Sequence, residues 1–127
     1  MMTLNEYEQK AMTTCMETSS NPLYMLFMLG EEVGELQSKF SKAIRKGWLR
    51  FDGNDIVFTS KITATEREEW CELVKKEIGD CLWGLAGLCK VMGWKLSDVA
   101  QMNLDKLAAR QAIGTIDGNG DGIERGK

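Results

Sequence analysis

The chain has no histidine among its 127 residues, and that absence removes whole classes of chemistry. Ser-His-Asp and Cys-His catalysis, HExxH zinc sites and the ExxH pairs of di-iron bundles all need an imidazole. Proline occurs once, so little in the composition interrupts a helix. There is no basic excess either: 16 Lys and Arg against 19 Asp and Glu leave a net charge of −3. Nothing therefore offsets the charge of a nucleic-acid polymer, and DNA or RNA binding is not expected. No apolar run approaches the ~20 residues of a membrane span, and the N-terminus lacks the basic start and apolar core of a signal peptide. The expectation is a cytoplasmic protein without membrane contact. Cys15, Cys71, Cys81 and Cys89 never form a CxxC pair and read as reduced, mostly buried thiols.

With 43% hydrophobic residues, a chain of this length is expected to form one compact domain around a single core. Its punctuation predicts four helices. Thr3-Leu4-Asn5-Glu6 has the form of a capping box and opens a first helix running to about Met16. Asn21-Pro22 supplies an N-cap and a proline at the first helical position, and that helix runs to about Lys46, with Gly47 as its stop. Thr65-Glu66-Arg67-Glu68 gives a second capping pattern for a third helix that ends near Gly93. Ser97 is the predicted cap of the fourth, which extends to about Ile113. Between helices two and three, residues 48–61 change character, with Phe51, Ile56, Val57 and Phe58 around Asp52-Gly53-Asn54-Asp55, and read as a small hairpin or flap. The domain is thus read as 1–113, followed by a polar, Gly-rich tail over 114–127.

Two acidic clusters stand out on these helices. Glu77-Ile78-Gly79-Asp80 is the sharper one. On a helix over 66–92 the apolar stripe runs through Trp70, Leu73, Val74, Cys81, Leu85, Leu88 and Met92. Glu77 falls inside that stripe and Asp80 on its edge, so these carboxylates must be protonated, paired or metal-bound. In Glu31-Glu32-Val33-Gly34-Glu35 the three carboxylates span about 100° on the polar side of their own helix. With no histidine and oxygen ligands alone, a bound metal would be Mg²⁺ or Mn²⁺ rather than zinc. On the fourth helix Asn103, Lys106 and Arg110 follow an i, i+3, i+7 spacing along one stripe. They could meet an anion held at the acidic cage, or form salt bridges to neighbouring helices.

The two motifs, Glu31-Glu32-Val33-Gly34-Glu35 and Glu77-Ile78-Gly79-Asp80, in this order, resemble the EExxE and ExxD signature of the all-alpha, MazG-like nucleoside triphosphate pyrophosphohydrolases. That superfamily includes dimeric dUTPases and dCTP pyrophosphatases. Leu29-Gly30, Leu36 and Cys81-Leu82-Trp83 match around the motifs, and Asn103-Leu104-Asp105-Lys106-Leu107 with Arg110 is similar to the family's closing helix. The resemblance covers about residues 22–113. The 41 residues between Glu35 and Glu77 exceed the family's usual gap, and segment 48–61 supplies the excess.

The resemblance implies an all-α fold, a four-helix bundle completed by oligomerisation as a homodimer or homotetramer. It also implies cleavage of a (d)NTP between the alpha and beta phosphates to a monophosphate and pyrophosphate. Metal roles carry over to Glu32, Glu35, Glu77 and Asp80. Glu31 is placed to orient the attacking water, so Glu31 and Glu32 are the catalytic candidates. Lys106 and Arg110, with Lys46 as a helper, would grip the distal phosphates, and Asn103 would bond to phosphate or sugar. Trp48 could stack on a base, as could Tyr24 or Phe27. A purine dNTP, dGTP or dATP, is the favoured substrate. The alternatives are a hydrolase of a pyrimidine or modified nucleotide, and a non-catalytic helical interaction module. In the tail, Asp117-Gly118-Asn119-Gly120-Asp121-Gly122 repeats the opening of an EF-hand loop, but the glutamate of the twelfth position has no counterpart before Lys127. Closure of Gly114–Asp121 and Arg125 over phosphates is the favoured reading of that segment.

Overall fold

The computed structural model describes residues 1–114, and most of its helices begin where the sequence supplies a cap. Glu6 N donates to Thr3 Oγ1 while Thr3 N donates to the Glu6 carboxylate, a reciprocal box that opens α1, Leu4–Met12. This helix stops a turn before the predicted Met16. The Thr13 and Thr14 hydroxyls donate to the Lys10 and Ala11 carbonyls at 2.6 Å, local bonds that compete with continuation of the helix. A 3-10 turn, Glu17–Ser19, follows. Helix α2, Pro22–Arg45, starts with Tyr24 N donating to Asn21 Oδ1 at 2.8 Å. It ends at Gly47, whose φ of 74° is a left-handed conformation that a side chain would strain.

The predicted hairpin is present as β1, Leu49–Asp52, antiparallel to β2, Asp55–Phe58, with Leu49 opposite Phe58. Gly53 takes φ 62° and no other residue of the turn is positive, the pattern of a two-residue hairpin turn with glycine at its first central position. Phe58 and Phe40 both meet the Trp70 ring edge-on, at 5.7 and 5.0 Å between centroids. Trp70 Nε1 also donates to the Lys39 carbonyl at 3.1 Å, so one indole fastens the hairpin, α2 and α3 together. Helix α3, Ala64–Val91, corrects the expected start at Thr65: its capping box lies two residues earlier, between Thr63 and Glu66, and Thr65 is already inside the helix, because the Thr63–Glu66 pair has the same three-residue spacing and adds two residues to the helix.

Helix α4, Leu96–Ala112, corrects the expected Ser97 cap. Its N-cap position is Lys95, which provides no side-chain hydrogen bond. Instead Leu96 N donates to Glu8 Oε2 of α1 at 3.1 Å, and Ser97 Oγ donates to Asn5 Oδ1 at 2.8 Å. The cap is therefore supplied from α1, where a carboxylate also complements the positive end of the helix dipole. Glu8→Ala is expected to cost about 0.5–2 kcal/mol of stability, read as a lower urea midpoint. A midpoint equal to that of the parent protein would exclude the capping role.

The closest packing is between α2 and α3, which run antiparallel. Met25 of α2 is fully buried against Gly87 of α3, and Leu29 lies against Gly84. Met12, Ala86, Cys89 and Leu96 form the other buried cluster, with Tyr7 and Trp83 packed on it. Trp83 Nε1 donates to Ala11 O and Thr14 Oγ1, at 3.1 and 2.9 Å, which ties α1 to α3. The predicted apolar stripe of α3 holds in part, for Trp70, Val74, Cys81 and Leu88 are half-buried. Leu73, Leu85 and Met92 are 45%, 43% and 43% exposed, whereas Gly84, Ala86, Gly87 and Cys89 are buried. Small residues, not large ones, allow the helices to approach. All four cysteines are free, and Cys89 alone is buried while the other three are half-buried. Among the described residues no helix is long and apolar enough to cross a membrane. The expectations placed on the tail, calcium loop and phosphate closure alike, lie outside the described residues.

Candidate active site

The glycine seam sets the register that builds the site. From Leu29 opposite Gly84, one turn forward along α2 reaches Glu32, and one turn back along α3 reaches Asp80, then Glu77. Carboxylate oxygens of Glu32, Glu77 and Asp80 all lie within 4.8 Å of one another. Glu32 and Glu77 are half-buried and Asp80 is exposed. Three acceptors this close repel one another. The Glu32 carboxyl is accordingly raised above its ordinary value, first by burial and then by the charges of Asp80, Glu77, Glu31 and Glu35. Lys39 offsets part of this charge, with its Nζ 3.6 Å from Glu77 Oε1. Sequence reading did not single out Lys39, although its i+7 spacing from Glu32 puts it on the same face of α2.

Neighbouring groups feel the cluster. Burial, and then the Asp80 charge, pushes the Tyr7 hydroxyl up, so α1 reaches the edge of the site. The Cys81 thiol is pushed up by burial and then by Glu32, Asp80 and Glu77. Glu31 and Glu35 are exposed and stand outside the triad, although both act on Glu32 through their charge. At the far end of α2, Lys46 Nζ sits over the Trp48 ring, 4.4 Å from its centroid, and Trp48 is half-buried. Asn103, Lys106 and Arg110 lie along α4, the first exposed and the two cations half-buried. Tyr24 and Phe27, at the start of α2, are 47% and 70% exposed.

A set of carboxylate oxygens with no nitrogen or sulfur suits a hard divalent cation. The fit is also electrostatic, because a cation would relieve the repulsion that raises Glu32. The sign of the pH effect follows. The folded-state pKa of Glu32 lies above its value in the unfolded chain, so this carboxyl costs no stability at low pH. Stability is lost as pH rises from the ordinary value of 4.5 through the raised one, and the cost persists above it. In EDTA, the difference in urea midpoint between Glu32→Gln and the parent should therefore grow in favour of the variant as pH rises. Midpoints that stay parallel across that range would contradict the repulsion.

An all-α bundle whose two longest helices bring three carboxylates together defines a class: a helical protein with an acidic cluster able to accept a hard cation. The chain belongs to the MazG family, for the MazG nucleotide pyrophosphohydrolase domain matches residues 20–113. It is also similar to the Gene 37 protein of Mycobacterium phage L5, with 33% identity over 98 residues, 77% of this chain and 73% of that protein. No solved structure matches the chain. Family membership supports nucleotide pyrophosphohydrolase activity and a nucleotide substrate, in a family whose members typically depend on a divalent metal. The matched segment begins after α1, so the helix that caps α4 and carries Tyr7 is outside the shared domain.

Proposed function

We propose that the protein is a metal-dependent nucleoside triphosphate diphosphatase that cleaves the alpha-beta phosphate bond of a (d)NTP, releasing the monophosphate and pyrophosphate, with a purine dNTP, dGTP or dATP, as favoured substrate. The observation that carries this reading is the convergence of Glu32, Glu77 and Asp80 from two separate motifs in a chain of this family. Glu32, Glu77 and Asp80, joined by Glu35 from the next turn of α2, hold Mg²⁺ or Mn²⁺. When bound, the cation neutralises phosphate charge and lowers the pKa of water. Glu31, exposed beside Glu32, orients the attacking water and accepts its proton. Lys106 and Arg110 neutralise the distal phosphates and Asn103 bonds to phosphate or sugar. Lys46 adds charge at the end of α2, with Trp48 beside it offering a stacking face to the base.

The active form in this reading is a homodimer or homotetramer. Leu23, Leu26 and Phe27 are 65%, 57% and 70% exposed on α2, and Ile78 is 53% exposed on α3. Apolar side chains grouped in this way mark surfaces that associate. Phe27→Glu is expected to shift the protein toward monomer in light scattering coupled to size exclusion. A parent protein that is already monomeric at micromolar concentration would contradict the assembly.

The activity itself is tested by incubating the purified protein with the common ribo- and deoxyribonucleoside triphosphates in Mg²⁺, Mn²⁺ or EDTA. Monophosphate and pyrophosphate formed only with metal, fastest from a purine dNTP, is the expected result. Silence throughout would leave the helical interaction module, and turnover led by pyrimidine or modified nucleotides would overturn the substrate choice alone.

A further inference from the structure

Between the C-terminal half of α2 and the N-terminal half of α3 lies a cavity of about 180 Å³. Lys42 and Lys46 reach it from α2, Glu66 and Glu69 from α3, and Trp48 and Trp70 form aromatic wall. Sites that enclose a whole drug-sized ligand run to ~300–1,000 Å³, so this one suits a single flat ring system. Its position relative to the carboxylates is also informative. Lys39 both lines the cavity and pairs with Glu77 at 3.6 Å, so the two features adjoin. Leu73, another lining residue, and Trp70 stand about 6 and 10 Å along α3 from Glu77 at the helical rise. A ribose sets a phosphate and its base apart on that scale.

The charges around the cavity are unequally committed. Glu66 accepts from Thr63 N in the capping box, Lys46 lies on the Trp48 ring, and Lys39 pairs with Glu77. Among the described residues, Lys42 and Glu69 take part in no side-chain hydrogen bond or ion pair. They face the same cavity as an open ammonium and an open carboxylate. Guanine matches that pair on both sides. Its O6 and N7 are adjacent acceptors for an ammonium, and its N1–H and N2 amino group are adjacent donors for a carboxylate. Adenine offers the carboxylate only its N6 amino group. Cytosine and thymine each offer one donor group there as well.

We infer that this cavity is the base subsite and that it selects guanine, with Lys42 bonding O6 and N7, Glu69 accepting from N1–H and the N2 amino group, and Trp48 stacking on the ring. The inference rests on the nucleotide reading above and deepens it by naming the base. Both side chains are exposed, so their replacement leaves the core intact.

The test is calorimetric titration of the full chain, in Mg²⁺, with dGMP, dIMP, dAMP and dCMP, run beside the turnover panel. The parent should bind dGMP about tenfold to a hundredfold more tightly than dAMP, with dIMP, which lacks the N2 amino group, between them. Lys42→Ala and Glu69→Gln should each bring dGMP affinity down toward that of dAMP, and Trp48→Ala should weaken all four. Equal affinities in the parent, or a guanine preference that survives both variants, would overturn the base assignment and leave hydrolysis untouched. Selective dGMP binding by a protein that hydrolyses no triphosphate would support the subsite and overturn the activity.

Discussion

Asp80→Ala is expected to reduce metal-dependent turnover by about a thousandfold or more while leaving a folded helical protein. The magnitude follows from what a metal ligand supports. A bound cation contributes several kcal/mol to stabilising charge in the transition state, and each ~1.4 kcal/mol is a tenfold change in rate. Asp80 is the exposed member of the triad, so its removal opens no cavity and orphans no partner. Glu77→Ala should abolish activity to the same degree, but it also leaves Lys39 without the carboxylate 3.6 Å away, so Asp80→Ala separates metal binding from packing more cleanly. Asp80 is the foremost charge acting on Glu32 after burial. Its loss should therefore raise the unfolding temperature in EDTA and remove the further rise that Mn²⁺ gives the parent. Circular dichroism melts with and without Mn²⁺, beside initial rates, make the check. Activity lost together with helicity would make Asp80 a structural residue, and retained activity would remove it from the metal site.

Gly87→Val is expected to destabilise the protein by about 1–3 kcal/mol and to weaken metal binding with it. An added Cβ would stand 2.5 Å from Met25 Sδ and 2.8 Å from its Cε, and Met25 is fully buried with 0% exposure. Two effects oppose one another here. Glycine inside a helix costs about 1 kcal/mol relative to alanine, so relief of the clash by a rotated methionine could bring Gly87→Ala near balance. Valine adds two further carbons that the seam has no room for, and the clash decides the sign. Because the seam sets the register of α2 on α3, a helix pushed outward at Gly87 also separates Glu32 from Asp80. Met25→Ala should restore part of the stability lost in Gly87→Val, as expected for side chains in contact. Thermal unfolding and Mn²⁺ titration of the single and double variants are the measurements, and strictly additive effects would deny the contact.

Much of the fold was legible because its determinants are local. The box at Thr3–Glu6 and the Asn21-Pro22 start close hydrogen bonds within three residues, so the letters carry them, whereas at α3 the spacing of Thr65–Glu68 competes with that of Thr63–Glu66 and the helix uses the earlier pair. The hairpin was legible through Gly53-Asn54 between apolar runs. The triad was legible in part, since Glu77 on an apolar stripe demanded a partner and the paired motifs supplied one. Most of what escaped was non-local. Glu8 caps α4 across 88 residues, so no window around Ser97 could reveal it. The stripe of α3 was drawn too wide, to include Leu73, Leu85 and Met92, because hydrophobic periodicity weights large side chains, whereas the helices approach through Gly84 and Gly87. Lys39 was not singled out because its partner, Glu77, lies on another helix and only packing of α3 brings it near.

The most direct test of the central claim is hydrolysis of dGTP in ¹⁸O-labelled water with Mg²⁺, followed by ³¹P NMR of the products. Cleavage at the alpha-beta bond by water attacking the alpha phosphorus predicts dGMP carrying the label and unlabelled pyrophosphate, with neither formed in EDTA. Appearance of dGDP and inorganic phosphate, or of label in pyrophosphate, would contradict the account.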